Sequence, residues 1–165
     1  MAKKNAKTLV EKILDKHKIA YEAYDFPWQE DHHVAHLERE KLGDLGLDEH
    51  DIYKTLVLTG KNTGPLVAVI PIDEHLSYKK LSQVSGNKKV GMVPLKDLVA
   101  TTGYEHGANT PVGIHEKYNY PIYLGQQAQA KGYLIVSSGK IGRSVKVDAE
   151  TLRNYLGAEY ADITE

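Results

Sequence analysis

The sequence has 165 residues, of which 41% are apolar and 26% are charged, and its formal net charge is −1. This length and composition predict a single globular domain spanning residues 1–165. The chain contains no cysteine, which excludes a disulfide framework, a thiolate nucleophile and thiolate metal sites. Neither a signal peptide nor an apolar run of membrane-spanning length is evident, so we expect a cytoplasmic protein with no membrane partner.

The first half of the chain predicts a helix, a strand, a second helix and a β-hairpin. Residues 7–18 carry apolar side chains at helical spacing, and residues 20–26 have the pattern of a strand. Residues 31–43 begin with a capping residue and end with a glycine, which favours a helix. Two apolar runs at 51–58 and 66–72 are separated by a turn and predict a hairpin.

The second half of the chain mixes further helices and strands. The predicted elements are helices at 77–83, 94–102 and 148–156, and strands at 88–93, 121–125, 133–137 and 143–147. Because helices and strands do not alternate strictly, we expect a mixed α/β (α+β) fold rather than a doubly wound parallel sheet. Helices should pack around a strongly curved mixed sheet.

One lysine stands inside the apolar strand at 51–58. Lys54 has Ile52, Leu56, Val57 and Leu58 as neighbours, and a strand this apolar is normally buried on at least one face. A lysine there either extends its stem along a sheet edge to reach water or places its ammonium in a cleft. In the second case, it is a functional candidate.

Two downstream segments are rich in glycine. Residues 103–113 contain three glycines and one proline, which predicts irregular structure, and residues 138–142 predict a tight turn. Glycine-rich backbone can bring N–H groups close to an anion or a carbonyl oxygen, and a lysine can hold a phosphate or polarise an ester. Together they suit acyl-ester chemistry without a protein nucleophile. Two turns without function fit the composition equally well.

The common catalytic motifs are absent. The chain has no GxSxG elbow, no Walker A or GxGxxG loop and no supported pair of carboxylates of the glycosidase type. His32, His33 and His36 leave a small metal hydrolase open, although no HExxH motif accompanies them. We therefore predict no metal and no cofactor.

Four segments occur together in one order: IYKTLVL, YKKLSQVSGNKKVGMVP, TTGYEHGANTPVGI and IVSSGKIGRSVKV. In this combination the chain resembles the YbaK/EbsC family of aminoacyl-tRNA deacylases, which is related to the editing domain of bacterial prolyl-tRNA synthetases. The likeness covers nearly the whole chain and is greatest to the branch commonly assigned as Cys-tRNA(Pro) deacylase. It implies a curved sheet that forms a partial barrel surrounded by helices.

The resemblance implies roles for particular residues. Lys54 takes the place of the family's strand lysine, and the substrate loop and the tight turn fall on residues 102–113 and 137–142. The implied catalytic residue is Lys54. The implied substrate-binding residues are Phe26, Thr55, Gly103, Tyr104, Gly107, Ala108, Thr110, Pro111, Gly113, Ser137, Ser138 and Gly139.

The chain departs from the family pattern at five positions. Ala108 and Ser138 replace glycines, and Thr110 replaces a serine. Phe26 stands where some members have a tyrosine, and Ser144 where some have an aspartate. These changes keep the reaction class and leave the amino-acid specificity open.

The implied function is trans-editing, in which the ester of a mischarged tRNA is cleaved. The implied substrate is Cys-tRNA(Pro), with Cys-tRNA(Cys) as a further one. Lys54 and the N–H groups of residues 107 and 108 would stabilise the ester, while water or the substrate's own thiol attacks it, the latter route making the enzyme a lyase. Candidates for binding the tRNA body are Lys79, Lys80, Lys88, Lys89, Lys140, Arg143 and Lys146.

The sequence also raises expectations about binding partners and leaves two alternative functions open. The resemblance suggests prolyl-tRNA synthetase as a partner, and the near-neutral net charge indicates no DNA partner. A deacylase for Ala-, Ser- or Thr-tRNA stays open as an alternative. So does a non-catalytic regulatory module that binds tRNA or a synthetase.

Overall fold

The computed structural model describes residues 6–26, 28–31, 34–37 and 47–165. Its helices are α1 (Leu9–Lys16), α2 (Tyr78–Ser85), α3 (Leu95–Thr102), α4 (Pro111–Lys117), α5 (Gln126–Lys131) and α6 (Ala149–Leu156). Its strands are β1 (Tyr21–Asp25), β2 (Trp28–Asp31), β3 (Val34–Leu37), β4 (Tyr53–Gly60), β5 (Gly64–Pro71), β6 (Val90–Met92), β7 (Ile122–Gly125), β8 (Tyr133–Lys140), β9 (Arg143–Asp148) and β10 (Glu159–Ala161). Among these helices, none has the length and hydrophobicity that crossing a membrane requires.

Two main sheets form the framework. One has the strand order β10-β7-β5-β4-β6 and mixes parallel and antiparallel pairs, and the other is the antiparallel sheet β1-β9-β8. The sheets approach each other where Ile52, just before β4, bridges to Ile135 of β8. This arrangement confirms the expected mixed α/β fold, although the framework consists of two sheets joined by this bridge and not of one closed sheet.

The β4–β5 hairpin lies at the centre of the fold and was predicted from sequence. Its two strands pair along all eight residues of each. Val57 and Val67 pack into the larger hydrophobic core, whereas Leu58 and Leu66 pack into a second core. Because the hairpin is covered on both faces, β5 is continuously apolar from Leu66 to Pro71, and β4 is apolar from Leu56 to Leu58.

Local sequence signals set several helix ends as predicted. The side chains of Ser77 and Asp148 accept backbone N–H hydrogen bonds at the starts of α2 and α6. Gly86 and Gly157 end the same helices with φ values of 77° and 65°, in the left-handed region that favours glycine.

The helix predicted over residues 31–43 is wrong where the structure describes this part of the chain. There β2 and β3 form an antiparallel hairpin, in which Asp31 pairs with Val34. Aspartate favours helix N-caps and turns alike, so its presence did not distinguish the two. His36 lies on β3, while His32 and His33 lie outside the described residues.

The expectation of irregular structure throughout residues 103–113 also needs correction. The Thr110 side chain caps α4, and Pro111 is the first residue of that helix. Proline is well tolerated there because its missing N–H would have no partner within the helix. Two further elements, α5 and β10, are not evident in the sequence, because both are short and lack a clear apolar period.

Candidate active site

A cleft opens beside β4, between β6 and β8. β6 pairs with β4 only at Leu58–Gly60, and β8 is bridged to the chain at Ile52. Between these two points, within the described part of the chain, the edge of β4 has no neighbouring strand in the sheet. The cavity at this gap has a volume of about 580 Å³.

Segments that are remote in sequence meet at this cleft. Lys54 and Thr55 of β4 line it together with Gly107, which lies between α3 and α4. Ser137 of β8 and Phe26, which follows β1, line it as well. The structure thus places five of the residues singled out from the sequence around one cavity.

Two adjacent residues of β4, Lys54 and Thr55, line the cleft. Lys54 is half-buried and lies opposite Ile70 of β5. The Oγ1 atom of Thr55 is buried and, among the described residues, has no hydrogen-bond partner. A buried polar group left in this state costs about 1–3 kcal/mol, so a ligand that bonds to it recovers that free energy. A substrate group can recover this free energy only by reaching the buried oxygen from the cleft that Thr55 lines.

Gly107 and Ala108 play different parts in the glycine-rich loop. Gly107 is exposed with φ at 88°, a conformation that favours glycine and permits close approach of a ligand to the backbone. The Ala108 N–H instead donates to the Glu105 carbonyl at 3.0 Å, and Ala108 is buried. The expected use of the Ala108 N–H on the substrate is therefore not supported, because that donor already has a partner.

Other predicted residues of the same loop build its support and do not line the cleft. Gly103 ends α3 in the left-handed conformation, and Thr110 and Pro111 start α4. The Tyr104 hydroxyl lies so close to Gly113 that a Cβ atom at 113 would overlap it. Glycine at 113 is thus explained by packing rather than by contact with a ligand.

At the turn between β8 and β9, some residues line the cleft and others face the protein interior. Ser138 is buried, and its hydroxyl donates to Oε2 of Glu11 at 3.0 Å and shares a hydrogen bond with Thr8. A Cβ atom at Gly139 would lie 3.2 Å from the Tyr104 ring. Ser138, which replaces a family glycine, therefore ties the turn to α1, while Ser137 lines the cleft.

A charged network beneath this turn engages Arg143. Its Nε and Nη2 donate to the two carboxylate oxygens of Glu11 at 2.8 and 3.1 Å, and its Nη1 donates to Asp25. Burial opposes ionisation of Glu11, but the hydrogen bonds from Arg143 and Ser138 outweigh it and lower the pKa of that carboxyl. The Arg143 side chain is only 11% exposed, which argues for a structural role instead of the expected tRNA contact.

The other basic candidates separate into groups. Lys80 bonds to Asp162 at 3.1 Å and to the Thr164 carbonyl at 2.9 Å, and Lys146 lies 4.3 Å from the centre of the Tyr133 ring. Lys140 is exposed at the β8–β9 turn. The remaining three line a second cavity beside α2 and β6: Lys79, Lys88 and Lys89.

Sequence reasoning missed much of the cleft wall. Apolar or aromatic side chains of Tyr53, Ile72, Met92 and Leu95 line it, and so does Asn109. Burial, with the charges of nearby carboxylates, raises the pKa of Tyr53 above its ordinary value. Apolar wall residues resemble core residues in sequence, and only their position within or beside the motif segments could have identified them.

A cluster of three side chains of the kinds that can bind a metal ion lies on the surface. His50, Asp73 and Glu74 have their ligand atoms within 4.8 Å of one another. The His50 Nδ1 atom lies 3.1 Å from an Asp73 oxygen, which is ordinary ion-pair or hydrogen-bond geometry. We assign no metal to this group.

Comparisons with known proteins agree with this geometry. Residues 38–155 match the family model described as the aminoacyl-tRNA editing domain. A protein of Enterococcus faecalis, provisionally named Cys-tRNA(Pro)/Cys-tRNA(Cys) deacylase EbsC, is 43% identical over 166 residues, covering 99% of this chain and 98% of that protein.

Solved structures share the fold. One, provisionally titled a trans-editing enzyme for prolyl tRNA synthetase, has a TM-score of 0.77 at 19% identity and covers 94% of both chains. Another, titled as a hypothetical protein, has a TM-score of 0.78 at 22% identity and covers 94% of this chain and 99% of its own. At these identities the likeness concerns the fold alone.

Proposed function

The chain belongs to the aminoacyl-tRNA editing domain family, and on that premise we propose that its cleft hydrolyses mischarged tRNA, with Cys-tRNA(Pro) as the main substrate. Cys-tRNA(Cys) is a second substrate, as the name of the Enterococcus faecalis relative includes both. The enzyme is an aminoacyl-tRNA deacylase that acts in trans on tRNA already released from a synthetase.

The observation that carries this proposal is the meeting of Lys54, Gly107 and Ser137 at one cavity. Its volume of about 580 Å³ falls within the range of small-molecule sites, roughly 300–1,000 Å³. That space accepts an amino acid and the terminal adenosine but not the body of a tRNA. The aminoacylated 3′ end therefore enters the cleft, and the rest of the RNA stays outside.

Lys54 and its neighbours supply electrostatic stabilisation. The Lys54 ammonium stabilises negative charge that develops on the ester oxygen, or holds the terminal phosphate or ribose in place. The Thr55 hydroxyl bonds to a polar group of the aminoacyl end, and the Gly107 backbone allows close approach. Loss of a single donor of this kind typically slows a reaction by about 10²- to 10³-fold.

The nucleophile comes from outside the protein. The chain has no cysteine to supply a thiolate, and attack by a serine would require a positioned base in the manner of the known triads. Water attacks the carbonyl and yields free cysteine. Alternatively, the cysteinyl sulfur attacks its own carbonyl, which forms a thiolactone and releases the 3′-hydroxyl of the tRNA.

Attack by the thiol would add chemical selection to selection by size. Alanine and proline lack the sulfur, so they cannot follow that route. A pocket that distinguishes side chains by one methylene reaches only about 10- to 200-fold discrimination. The phenyl ring of Phe26, which has no hydroxyl, fits a small and weakly polar side chain such as that of cysteine.

The cellular setting follows from the substrate. We infer that the enzyme works in the cytoplasm beside prolyl-tRNA synthetase, which produces the mischarged tRNA. The solved structure with the same fold, titled a trans-editing enzyme for that synthetase, supports this partner by analogy of fold only.

A panel of charged tRNAs tests the proposed function. Wild type and Lys54→Ala are incubated with Cys-tRNA(Pro), Cys-tRNA(Cys), Ala-tRNA(Pro), Pro-tRNA(Pro), Ser-tRNA and Thr-tRNA. We expect cysteine to be released fastest, and Lys54→Ala to slow release by about 100-fold or more because the stabilising charge is lost.

Lys61→Ala is the matched control, because Lys61 is exposed in the β4–β5 turn. Circular dichroism checks that both variants are folded. Undiminished release by Lys54→Ala would remove that lysine from catalysis. Fastest release of alanine, serine or threonine would reassign the substrate, and no release from any tRNA would reject the deacylase.

A further inference from the structure

A second cavity lies between α2 and β6 and has a volume of about 700 Å³. Lys79, Lys88 and Lys89 line it, together with the exposed ring of Tyr78. Among the described residues that line it there is no carboxylate. We call this cavity the α2–β6 groove. Its local charge is positive even though the formal net charge of the chain is −1.

The α2–β6 groove and the cleft share one lining residue. Met92, the last residue of β6, lines both cavities, and it is 43% exposed. A long ligand whose end occupies the cleft can therefore reach the groove by crossing Met92. The lysines lie along this course, outside the space where the ester reacts.

The backbone that carries Lys88 and Lys89 is held firmly. The side-chain oxygen of the buried Asn87 accepts hydrogen bonds from the N–H groups of Asn62 and Thr63 at 2.8 and 3.1 Å. A Cβ atom at Gly60 would overlap the Asn87 side chain. These contacts fasten the α2–β6 connection to the β4–β5 turn, so the two lysines project from a fixed position.

Lys80 belongs to α2 but has a different role. Its ammonium pairs with Asp162 near the C-terminus. Lys79, Lys88 and Lys89 line the groove instead. An aromatic ring beside several lysines is the combination that binds RNA strands, through base stacking and phosphate contacts.

We propose that the α2–β6 groove binds the RNA backbone immediately behind the aminoacylated 3′ end. This inference rests on the proposed function, since it takes the end in the cleft to be that of a tRNA. Lys88 and Lys89 contact phosphates, and Tyr78 stacks on a base of the single-stranded end. The groove thus supplies affinity for the RNA, while the cleft supplies the reaction.

Two substrates separate these roles. The double variant Lys88→Gln/Lys89→Gln is compared with wild type on Cys-tRNA(Pro) and on 3′-cysteinyl-adenosine, which is too short to reach the groove. We expect KM for the tRNA to rise about 10-fold with little change in kcat, and kcat/KM for the short ester to stay unchanged. The control Lys12→Gln/Lys16→Gln removes two exposed charges from α1.

Salt dependence gives a second readout. Each lost phosphate contact lowers the slope of log affinity against log salt by about 0.7–0.9, so the double variant should lose roughly 1.4–1.8. Tyr78→Leu should weaken tRNA binding several-fold without changing the slope, because stacking releases no counterions. Equal KM and slope for the double variant and its control would overturn the proposal. Equal losses on both substrates would overturn it as well.

Binding of uncharged tRNA tests the groove independently of catalysis. Fluorescence anisotropy should report about 10-fold weaker binding by the double variant than by the control. Equal affinity would reject the groove even if the enzyme hydrolyses Cys-tRNA(Pro). Weaker binding would support the groove even if wild type releases no amino acid, a result that would reject the proposed function alone.

Discussion

Single side chains beneath the cleft determine how firmly its walls are held. Glu11 is 1% exposed and receives hydrogen bonds from Arg143 and Ser138, while Arg143 also contacts Asp25. This network fixes the β8–β9 turn to α1. Its residues act on the cleft through the turn and do not touch it.

Glu11→Gln should destabilise the fold, because it removes the main charge partner of a nearly buried guanidinium. Breaking such a pair costs about 3–5 kcal/mol. The single amide oxygen keeps the hydrogen bonds of one former carboxylate oxygen, which reduces the expected loss to about 2–4 kcal/mol, while the amide NH2 group faces other donors. Urea denaturation measures the free energy of unfolding. Asp15→Asn, which removes an exposed carboxylate paired with Lys7, is the control and should have little effect. Equal stability of Glu11→Gln and wild type would contradict a structural role for the pair.

The same carboxyl should make stability depend on acid. Because the folded state lowers the pKa of Glu11, its contribution is complete above the unfolded pKa and is lost as pH falls through the folded pKa. Wild type should therefore lose more stability than Glu11→Gln between about pH 5 and pH 3. Thermal melts across this range provide the comparison, and parallel curves for the two proteins would refute the assignment.

Thr55→Val tests whether the unpartnered hydroxyl in the cleft binds the substrate. Valine has nearly the same shape, so stability should be unchanged or slightly higher, since no hydrogen bond of Oγ1 is lost. Catalytic efficiency on Cys-tRNA(Pro) should fall about 10-fold, the effect of one hydrogen bond of about 1.4 kcal/mol. Thr55→Ser keeps the hydroxyl and should retain most activity. Full activity of Thr55→Val would exclude the contact.

At the scale of elements, the loop between α3 and α4 contributes to the cleft a glycine whose backbone conformation favours that residue. Gly107 has φ at 88° and lines the cleft. Gly132 has φ at 92°, ends α5 and has open space where a side chain would begin. Both glycines have the left-handed backbone conformation, but only Gly107 of these two lines the cleft.

Gly107→Val should therefore lose both stability and activity. A left-handed residue with a side chain costs about 1–2 kcal/mol, and valine would also occupy the cleft and lower turnover by about 100-fold or more. Gly132→Val should lose similar stability and keep its activity. The two variants are compared by urea denaturation and by deacylation of Cys-tRNA(Pro). Normal turnover by Gly107→Val would remove the loop from the site.

Elements with local signals were predictable, and those defined by tertiary contacts were not. The β4–β5 hairpin, α2 and α6 follow from apolar runs and caps at Ser77 and Asp148. The β2–β3 hairpin was mistaken for a helix, because Asp31 suits both structures. At the site, the meeting of Lys54 with the two glycine segments was anticipated. That Ser138 and Arg143 face the interior was not, since their partner Glu11 is more than 120 residues away in sequence.

At the scale of the whole molecule, the site lies where the two main sheets approach each other. β6 pairs with the end of β4, and β8 is bridged to Ile52 just before β4. The gap between β6 and β8 forms the cleft. The α2–β6 groove shares Met92 with the cleft as a lining residue. The molecule can thus bind the aminoacylated 3′ end of an RNA in the cleft and the adjoining RNA backbone in the groove. The formal net charge of −1 alone would not suggest this binding.

The central claim is that the gap beside β4 binds the aminoacyl end of tRNA. Titration of the 15N-labelled protein with 3′-cysteinylamino-3′-deoxyadenosine, an amide that resists hydrolysis, tests it most directly. We predict that the largest amide shift changes fall at Lys54, Thr55, Gly107, Ser137 and Gly142, which line the cleft. Changes confined to residues remote from the cleft, or no changes at saturating ligand, would contradict the claim.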